Sequence, residues 1–202
     1  MDKTPQLNEA KHQQILDAAR QVFMEDGLSG ASMQRITDLS KVSKATVYNH
    51  FPSKEALFEA VMREQVEQLR QQVFDLKAIN APPEAVLFGL GFGFVAGILS
   101  PANMKMARQL VAEGWRMPHL GKAFYVEGPD RGRELLAGYL QALCDSGRLS
   151  IPDTRLAAEQ FIALAEVGMS ARTHMTGEAP SEQEIAIKVR SAVDLFLRGY
   201  AA

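Results

Sequence analysis

The segment Lys44–His50, with the sequence KATVYNH, carries side chains that can recognise a nucleic acid. Val47 precedes Phe51 by four residues, so both apolar side chains would face the same buried side of a short helix. The groups left for the outer face are a long cation, a hydroxyl, a phenol and an amide, at Lys44, Thr46, Tyr48 and Asn49. Such groups bind phosphate oxygens and base edges, and an amide can pair with adenine through two hydrogen bonds. The segment therefore predicts a DNA-reading helix.

Two short helices joined by a turn would position these side chains. Ser32 can cap the first helix, and Ser43 can cap the reading helix. Pro52 ends the reading helix, because the residue before a proline avoids helical geometry. These signals predict a helix-turn-helix over roughly residues 32–51, a unit whose second helix enters the major groove of DNA.

Longer helices flank this unit on both sides. In the first, apolar residues from Ile15 to Phe23 recur at helical spacing, and Gly27 suits the left-handed position after the last turn. Ser53 caps a long fourth helix that carries Lys54 in its first turn. Backbone N–H groups and a cation at a helix N-terminus together favour a phosphate, so Lys54 is a candidate DNA contact.

The charge of the chain is nearly balanced overall, with a net charge of −2 and a pI of about 6.1. A purely architectural DNA-binding protein would be strongly basic, so this balance argues against that class. Between residues 35 and 54, however, cations outnumber acids: Arg35, Lys41, Lys44 and Lys54 face only Asp38. The positive charge is therefore local to the helix-turn-helix.

The rest of the chain has helical patterns only, and it begins after a break at residues 80–83. Five further helices are expected, over residues 84–99, 101–113, 129–144, 152–176 and 181–199. The last has a capping box formed by Ser181 and Glu184. The sequence thus predicts an all-α fold of about nine helices. We expect a three-helix helix-turn-helix domain over residues 1–53, a connecting fourth helix over 54–77, and a larger helical domain over 78–202.

Residues 32–55, SMQRITDLSKVSKATVYNHFPSKE, resemble the helix-turn-helix of the TetR family of bacterial transcriptional regulators. The family pattern has a Ser/Thr cap, an Ile-Ala pair, an Ala-Gly-Val-Ser turn, a Tyr-x-x-Phe reading helix and a Lys-Glu-x-Leu start to helix four. The matching residues are Ser32, Ile36, Val42, Ser43, Tyr48, Phe51, Lys54, Glu55 and Leu57. The sequence departs at Thr37, Ser40 and Lys41, where the family has alanine, alanine and glycine. Lys41 must then hold a turn conformation that glycine adopts more easily.

The resemblance implies a role for each matching position. Phosphate contacts are implied for Ser32, Thr46, Tyr48 and Lys54, and base contacts for Lys44, Ala45 and Asn49. Gln34 and His50 would lie near the edge of the groove, with helix capping as the alternative role of His50. For Thr37 and Asp38 we expect a solvated face rather than a DNA contact.

The resemblance also implies that residues 78–202 form a ligand-binding and dimerisation domain, with a pocket framed by helices five to eight. Large apolar side chains are frequent there, and methionine adapts to varied partners. The predicted pocket residues are Phe88, Phe92, Met104, Trp115, Met117, His119, Phe124, Tyr125 and Met169. A plain hydrophobic core is the alternative for each of them. An apolar pocket with few polar groups suits a small hydrophobic or amphipathic effector.

Helix five carries glycines at positions 89, 91, 93 and 97, each of which costs about 1 kcal/mol in a helix interior. Either close helix packing or room for a ligand would offset that cost. Polar candidates for the pocket are Glu113, Arg116, His119 and His174. His119, His174 and Glu113 could form a metal site, but they lack the short spacing of metal ligands, so we expect no metal. We expect no cofactor either.

A homodimer is expected, because one helix-turn-helix offers a small interface and two half-sites are usual. The family implies that the last two helices form most of the dimer interface. The candidate interface residues are Leu156, Phe161, Leu164, Ala165, Gly168, Val189, Val193, Phe196 and Leu197. Core packing within one chain is the alternative for this set.

The function that these features predict is a ligand-responsive transcriptional regulator, a repressor that a small effector releases from a palindromic operator. An activator or a ligand-independent regulator is the alternative. That the protein is an enzyme is a remote alternative, because the sequence shows no nucleophile with its base and no pair of acids suited to a catalytic cleft. With Cys144 as the single cysteine and no membrane-span or signal pattern, we expect a cytoplasmic protein.

Overall fold

The computed structural model describes residues 4–73 and 81–202, and these residues form the predicted all-helical fold. The helices are α1 (Thr4–Gly30), α2 (Met33–Ser40), α3 (Lys44–His50), α4 (Lys54–Val73), α5 (Pro83–Ile98), α6 (Pro101–Gly114), α7 (Pro118–Tyr125), α8 (Arg131–Asp145), α9 (Thr154–Glu166), α10 (Met169–Thr176) and α11 (Glu182–Gly199). A π-helical turn, Val126–Asp130, joins α7 to α8. The predicted end of the fourth helix at residue 77 lies outside the described residues.

Two differences raise the number of helices above the predicted nine in the described part of the chain. The stretch between α6 and α8, expected to be irregular, contains α7. The single helix expected over residues 152–176 is two helices, because Gly168 has a left-handed backbone with φ of 71° and separates α9 from α10. Glycine adopts that conformation without the steric cost that a Cβ imposes.

The predicted helix caps are confirmed in the N-terminal region. The Ser32 Oγ accepts a hydrogen bond from the Arg35 N–H at 3.2 Å, and the Ser43 Oγ accepts one from the Thr46 N–H at 3.3 Å. The Ser53 Oγ accepts from the Ala56 N–H at 3.1 Å. Each cap satisfies a backbone donor that the helix itself leaves free, and so fixes where α2, α3 and α4 begin.

Lys41 has a left-handed backbone, with φ of 55° and ψ of 23°. Among the described residues it is the only one other than glycine with a positive φ. The turn therefore keeps the geometry that glycine favours, although lysine occupies the position. The conformation costs a residue with a Cβ about 1–2 kcal/mol.

Replacing Lys41 by glycine should raise the free energy of unfolding by up to about 1 kcal/mol. The left-handed strain disappears, while the greater freedom of glycine in the unfolded chain offsets about 0.5–1 kcal/mol of that gain. Lys41→Val should lower the stability, because a β-branched residue rarely adopts a positive φ. Urea denaturation followed by circular dichroism compares the three proteins. Equal stability of the valine and glycine variants would contradict the assigned turn.

The chain divides into two compact units, and the division differs from the predicted domains. The first unit contains residues up to Val66 together with Lys105–Phe124. The second contains Glu67–Met104 and Tyr125–Ala202. All three boundaries between the units fall inside helices, in α4, α6 and α7, rather than in the break at residues 80–83. A segment expected in the larger domain therefore belongs with the N-terminal helices.

The core of the first unit is built from α1 to α4 and from residues 105–124. Its fully buried side chains include Ile15, Val22, Ile36, Val47, Leu57, Phe58 and Val61, joined by Met106, Leu110 and Leu120 from the later segment. Phe23 and Phe58 meet edge to face, with ring centroids 5.1 Å apart. The Gln109 side chain donates to the Phe23 carbonyl at 2.6 Å, so a polar contact also binds the later segment to α1.

The core of the second unit lies among α5, α8, α9 and α11. Leu87, Val95, Leu140, Leu143, Phe161, Val189 and Phe196 are buried in it. The rings of Phe161 on α9 and Phe196 on α11 meet nearly at right angles, 5.3 Å apart. Tyr200, after α11, donates to the Gln160 side chain at 2.5 Å. These contacts hold the last long helix against α9.

The predicted dimer residues lie mostly in this core, so that part of the prediction is wrong. Phe161, Ala165, Val189, Val193 and Phe196 are buried within one chain and are not available to a partner. The apolar residues of α9 and α11 do pack against other helices, but within the second unit of one chain. Leu156, which belongs to the predicted set, is exposed, and so are three large apolar residues outside that set: Val167, Ile187 and Leu195.

The glycines of α5 have different surroundings. A Cβ on Gly91 would lie 2.9 Å from Cγ1 of Val189 and 3.3 Å from Cζ of Phe161, whereas a Cβ on Gly89 would meet nothing within 4 Å. A Cβ on Gly97 would lie 2.3 Å from Cδ1 of Leu69. Close packing therefore explains why glycine occupies positions 91 and 97. It does not explain the glycine at position 89.

In the described part of the chain no single helix is long and apolar enough to cross a membrane, although α5 and α6 taken together, with a bend between them, meet the length and composition.

Candidate DNA-binding site

The reading helix α3 has two distinct sides, as its sequence predicted. Val47 and Phe51 are buried in the core of the first unit. The exposed side presents Lys44, Ala45, Tyr48 and Asn49, with Thr46 half-buried beside them. A cation, a phenol and an amide are thus displayed in a row that matches the groups needed for phosphates and base edges.

The start of α3 is ordered by its own side chains. The hydroxyls of Ser43 and Thr46 are 2.8 Å apart, and the Ser43 Oγ also caps the helix. The Lys44 Nζ lies 6.0 Å from the centre of the Tyr48 ring, at the limit of a cation–π contact. The polar groups at the N-terminal end of α3 are therefore held near one another, where base edges would be contacted.

Lys54 has a structural contact that the sequence did not indicate. Its Nζ donates to the Ala31 carbonyl at 3.0 Å and so ties the start of α4 to the segment before α2. An ammonium group carries three donors, so two remain for a phosphate. Ser32, the residue after Ala31, is exposed. Gln34 is also exposed, and its side chain donates a hydrogen bond to the Asp38 carboxylate at 2.8 Å.

Arg35 is not a free cation. Its guanidinium is ion-paired with Asp26 and Glu25 at the end of α1. Hydrogen bonding to Asp26, with a smaller effect from Glu25, raises the pKa of the Arg35 side chain above its usual value. The local positive charge is thus smaller than the sequence predicted, because only Lys41, Lys44 and Lys54 contribute to it. Pairing with residues nine and ten positions earlier follows no helical spacing, so the sequence carried no signal for it.

The expected solvated face of α2 is confirmed for Asp38 and wrong for Thr37. Thr37 is 8% exposed, and its hydroxyl donates to the Met33 carbonyl at 2.8 Å. Ser40 is equally buried and donates to the Thr37 carbonyl at 3.1 Å. The two hydroxyls that replace the family's alanines therefore bond to the helix backbone, which allows them to be buried.

His50, predicted at the groove edge, is half-buried and faces another histidine. Its Nδ1 lies 3.4 Å from the Nδ1 of His12 on α1. His12 is a residue that sequence reasoning missed, because 38 positions separate the two and no motif links them.

The nine predicted effector residues are divided between the two units. Met104 and Met169 are buried in the second unit, where Phe88 and Phe92 stack with centroids 6.0 Å apart. Tyr125 is exposed and accepts a hydrogen bond from Arg133 at 3.0 Å. The remaining four, Trp115, Met117, His119 and Phe124, belong to the first unit. Of these, Trp115 is 85% exposed and His119 is exposed, while Met117 and Phe124 pack against the first core.

The polar residues predicted inside the pocket also have other partners. Glu113 accepts a hydrogen bond from the Ser29 hydroxyl at 2.9 Å, and Arg116 donates to the same hydroxyl at 3.2 Å. Both contacts lie within the first unit. In the second unit the Nδ1 of His174 is 2.8 Å from the Ser170 carbonyl.

Comparison with known proteins adds to this geometry. Residues 15–61 match the family model "Bacterial regulatory proteins, tetR family", and residues 85–202 match "AefR-like transcriptional repressor, C-terminal domain". The transcriptional repressor DhaR of Mycobacterium sp. (strain GP1) is 29% identical over 177 residues, which cover 75% of this chain and 88% of DhaR. The regulator UidR of Escherichia coli (strain K12) is 38% identical over 111 residues, 52% of this chain and 53% of UidR.

Solved structures show the same fold along almost the whole chain. A TetR-family transcriptional regulator from Mesorhizobium loti MAFF303099 superposes with a TM-score of 0.89 and 28% identity, covering 96% of this chain and 98% of that one. The Flavonoid-responsive Regulator FrrA gives a TM-score of 0.83 and 27% identity with the same coverage. The AefR-like model alone spans more than half of the chain. The matches to both family models, to the curated relatives and to the solved structures show that this chain belongs to the TetR family of DNA-binding transcriptional regulators and is not an enzyme.

Proposed function

We propose that the protein is a dimeric cytoplasmic repressor that binds a near-palindromic operator and leaves it when a small effector binds. Lys44, Ala45 and Asn49 read base edges in the major groove, with Gln34 and His50 near its edge. The observation that carries the proposal is the exposed row on α3, displayed on a helix that is capped by Ser43 and anchored in the core by Val47.

Contacts to phosphate set the position of the reading helix on the duplex. Ser32, Thr46, Tyr48 and Lys54 are the proposed phosphate ligands. Support comes from the exposed Tyr48 side chain and from the Lys54 ammonium, which is oriented by one hydrogen bond to the Ala31 carbonyl and has two further donors. Such contacts supply affinity without sequence preference.

The second copy of the chain would cover the exposed apolar residues of α9 and α11. Ile187 and Leu195 are 63% and 59% exposed on α11, and Leu156 on α9 is also exposed. Exposed large apolar residues that lie together on a surface often mark an interface, and we propose that these three do. A two-fold dimer would pair this surface with itself and place two reading helices on two half-sites.

The effector would bind among apolar side chains of the second unit, where Phe88, Phe92, Met104, Tyr125 and Met169 lie. FrrA, which shares the fold at 27% identity, is described as flavonoid-responsive. A flavonoid is a planar molecule with apolar faces and polar edges, which fits the amphipathic effector class inferred from the sequence. The effector can release DNA only if it binds the operator-free form more tightly than the bound form.

The direct test is to select an operator from random duplexes with the wild-type protein and then titrate variants against it. Tyr48→Ala should weaken binding to the operator and to an unrelated duplex alike, because it removes a phosphate contact. Asn49→Ala should weaken binding to the operator by about 1–3 kcal/mol and leave binding to the unrelated duplex unchanged. Fluorescence anisotropy measures both affinities.

The control for this test is Gln141→Ala, an exposed substitution on α8 in the second unit. It should change neither affinity. If Tyr48→Ala and Asn49→Ala both bind the operator like wild type, α3 is not the reading helix. Adding quercetin as a flavonoid probe should shift the operator titration if planar aromatic molecules are effectors.

A further inference from the structure

Two histidines from different helices meet at the end of the reading helix. His12 lies on α1, and His50 is the last residue of α3; their Nδ1 atoms are 3.4 Å apart. The ring centroids are 5.4 Å apart, and the His12 ring lies 4.9 Å from the ring of Phe51 at a tilt of 33°. Within the described residues this is the one side-chain hydrogen bond that joins α1 to α3.

Two buried apolar residues anchor the reading helix. It is seven residues long, with Val47 as its buried residue and Phe51 buried directly after it. A large rotation of α3 would expose both apolar side chains, but a rotation of a few degrees costs little, since apolar contacts have no preferred direction. Recognition of bases requires side chains held within about 0.5 Å and 10–20° of the productive geometry. A directional contact at the end of α3 meets that requirement.

The chemistry of the pair makes it directional. A hydrogen bond between two Nδ1 atoms needs a proton on one nitrogen and a lone pair on the other, aligned along the line that joins them. The His12 ring also packs on the Phe51 ring, which favours one orientation of the plane that contains its Nδ1. His50 is therefore held through its δ position, directly after Asn49 in the chain.

We propose that His12 is a positioning residue for DNA reading, which holds His50 through the paired Nδ1 atoms and thereby sets the orientation of α3 on the operator. The proposal rests on α3 being the reading helix, as proposed above. His12 acts through His50 and needs no contact of its own with DNA.

Three substitutions of His12 separate this role from simple packing. Asparagine places its amide at the δ position, where Nδ1 stands; glutamine places the amide one bond further out; alanine removes it. His12→Ala and His12→Gln should weaken binding to the selected operator by about 3- to 10-fold, the worth of one net hydrogen bond. His12→Asn should stay within about twofold of wild type. Binding to an unrelated duplex should change little in all three.

Anisotropy titrations with the operator and the unrelated duplex give these affinities, and thermal denaturation shows which variants fold. If His12→Ala does not fold, the asparagine and glutamine variants, which carry the same amide, decide the question between them. Equal affinities of those two variants, or a wild-type affinity of the alanine variant, would overturn the proposal. Asn49→Ala in the same assay tests separately whether α3 is the reading helix. If this variant binds the operator as tightly as wild type, the proposed function is refuted, whatever the His12 variants show.

Discussion

Replacing both Ile187 and Leu195 by glutamate should convert the protein to a monomer and weaken operator binding by about 100-fold or more. Burying each apolar side chain in an interface contributes about 1.5–3 kcal/mol, and an unpaired buried carboxylate costs several more. Loss of the second reading helix removes the gain of about 10²–10⁴-fold that two linked half-sites provide. Size-exclusion chromatography with light scattering gives the mass, and anisotropy gives the affinity.

The same change on a different exposed surface provides the control. Val111 on α6 is 62% exposed, close to the values for Ile187 and Leu195. Val111→Glu should leave both the mass and the operator affinity unchanged. Because all three side chains are exposed in the single chain, circular dichroism should show the same helix content in every variant. A double variant that remains a dimer would place the interface elsewhere.

Alanine at Gly91 and at Gly89 should change the stability in opposite directions. At Gly89 the new methyl meets open space, so the better helix propensity of alanine should raise the free energy of unfolding by up to about 1 kcal/mol. At Gly91 the methyl would meet Val189 and Phe161, both fully buried. Overpacking a filled core costs about 1–3 kcal/mol, which exceeds the gain in propensity.

Urea denaturation followed by circular dichroism compares these two variants with wild type. The two substitutions are chemically identical, lie on the same helix and differ only in what the methyl meets. Their midpoints should therefore fall on either side of the wild-type midpoint. Two shifts of the same sign would show that α5 does not pack on Val189 as the structure has it.

The parts of the fold that the sequence predicts depend on residues close together in the chain. The caps at Ser32, Ser43 and Ser53 and the two sides of α3 follow from local hydrogen bonds and from helical spacing, which a short window contains. The break at Gly168 was missed because an isolated glycine inside a helical pattern is often tolerated.

The parts that the sequence does not predict depend on residues far apart in the chain. Arg35 with Asp26, and His50 with His12, meet only because helices pack, and neither pair has a spacing that marks it. The apolar stripe of α11 shows the same limit. A helix with apolar residues on more than one side does not reveal which side faces the core, so Val189 was predicted at the interface although it is buried and Ile187 is exposed.

The placement of residues 105–124 has a consequence for engineering chimaeric regulators. A reading head transplanted by cutting after residue 53 or 77 would leave Met106, Leu110 and Leu120 behind, although all three are buried against the N-terminal helices. The transplanted fragment would expose that apolar surface to water and lose the hydrogen bond from Gln109 to Phe23. A working graft must therefore carry two separate stretches of the donor sequence.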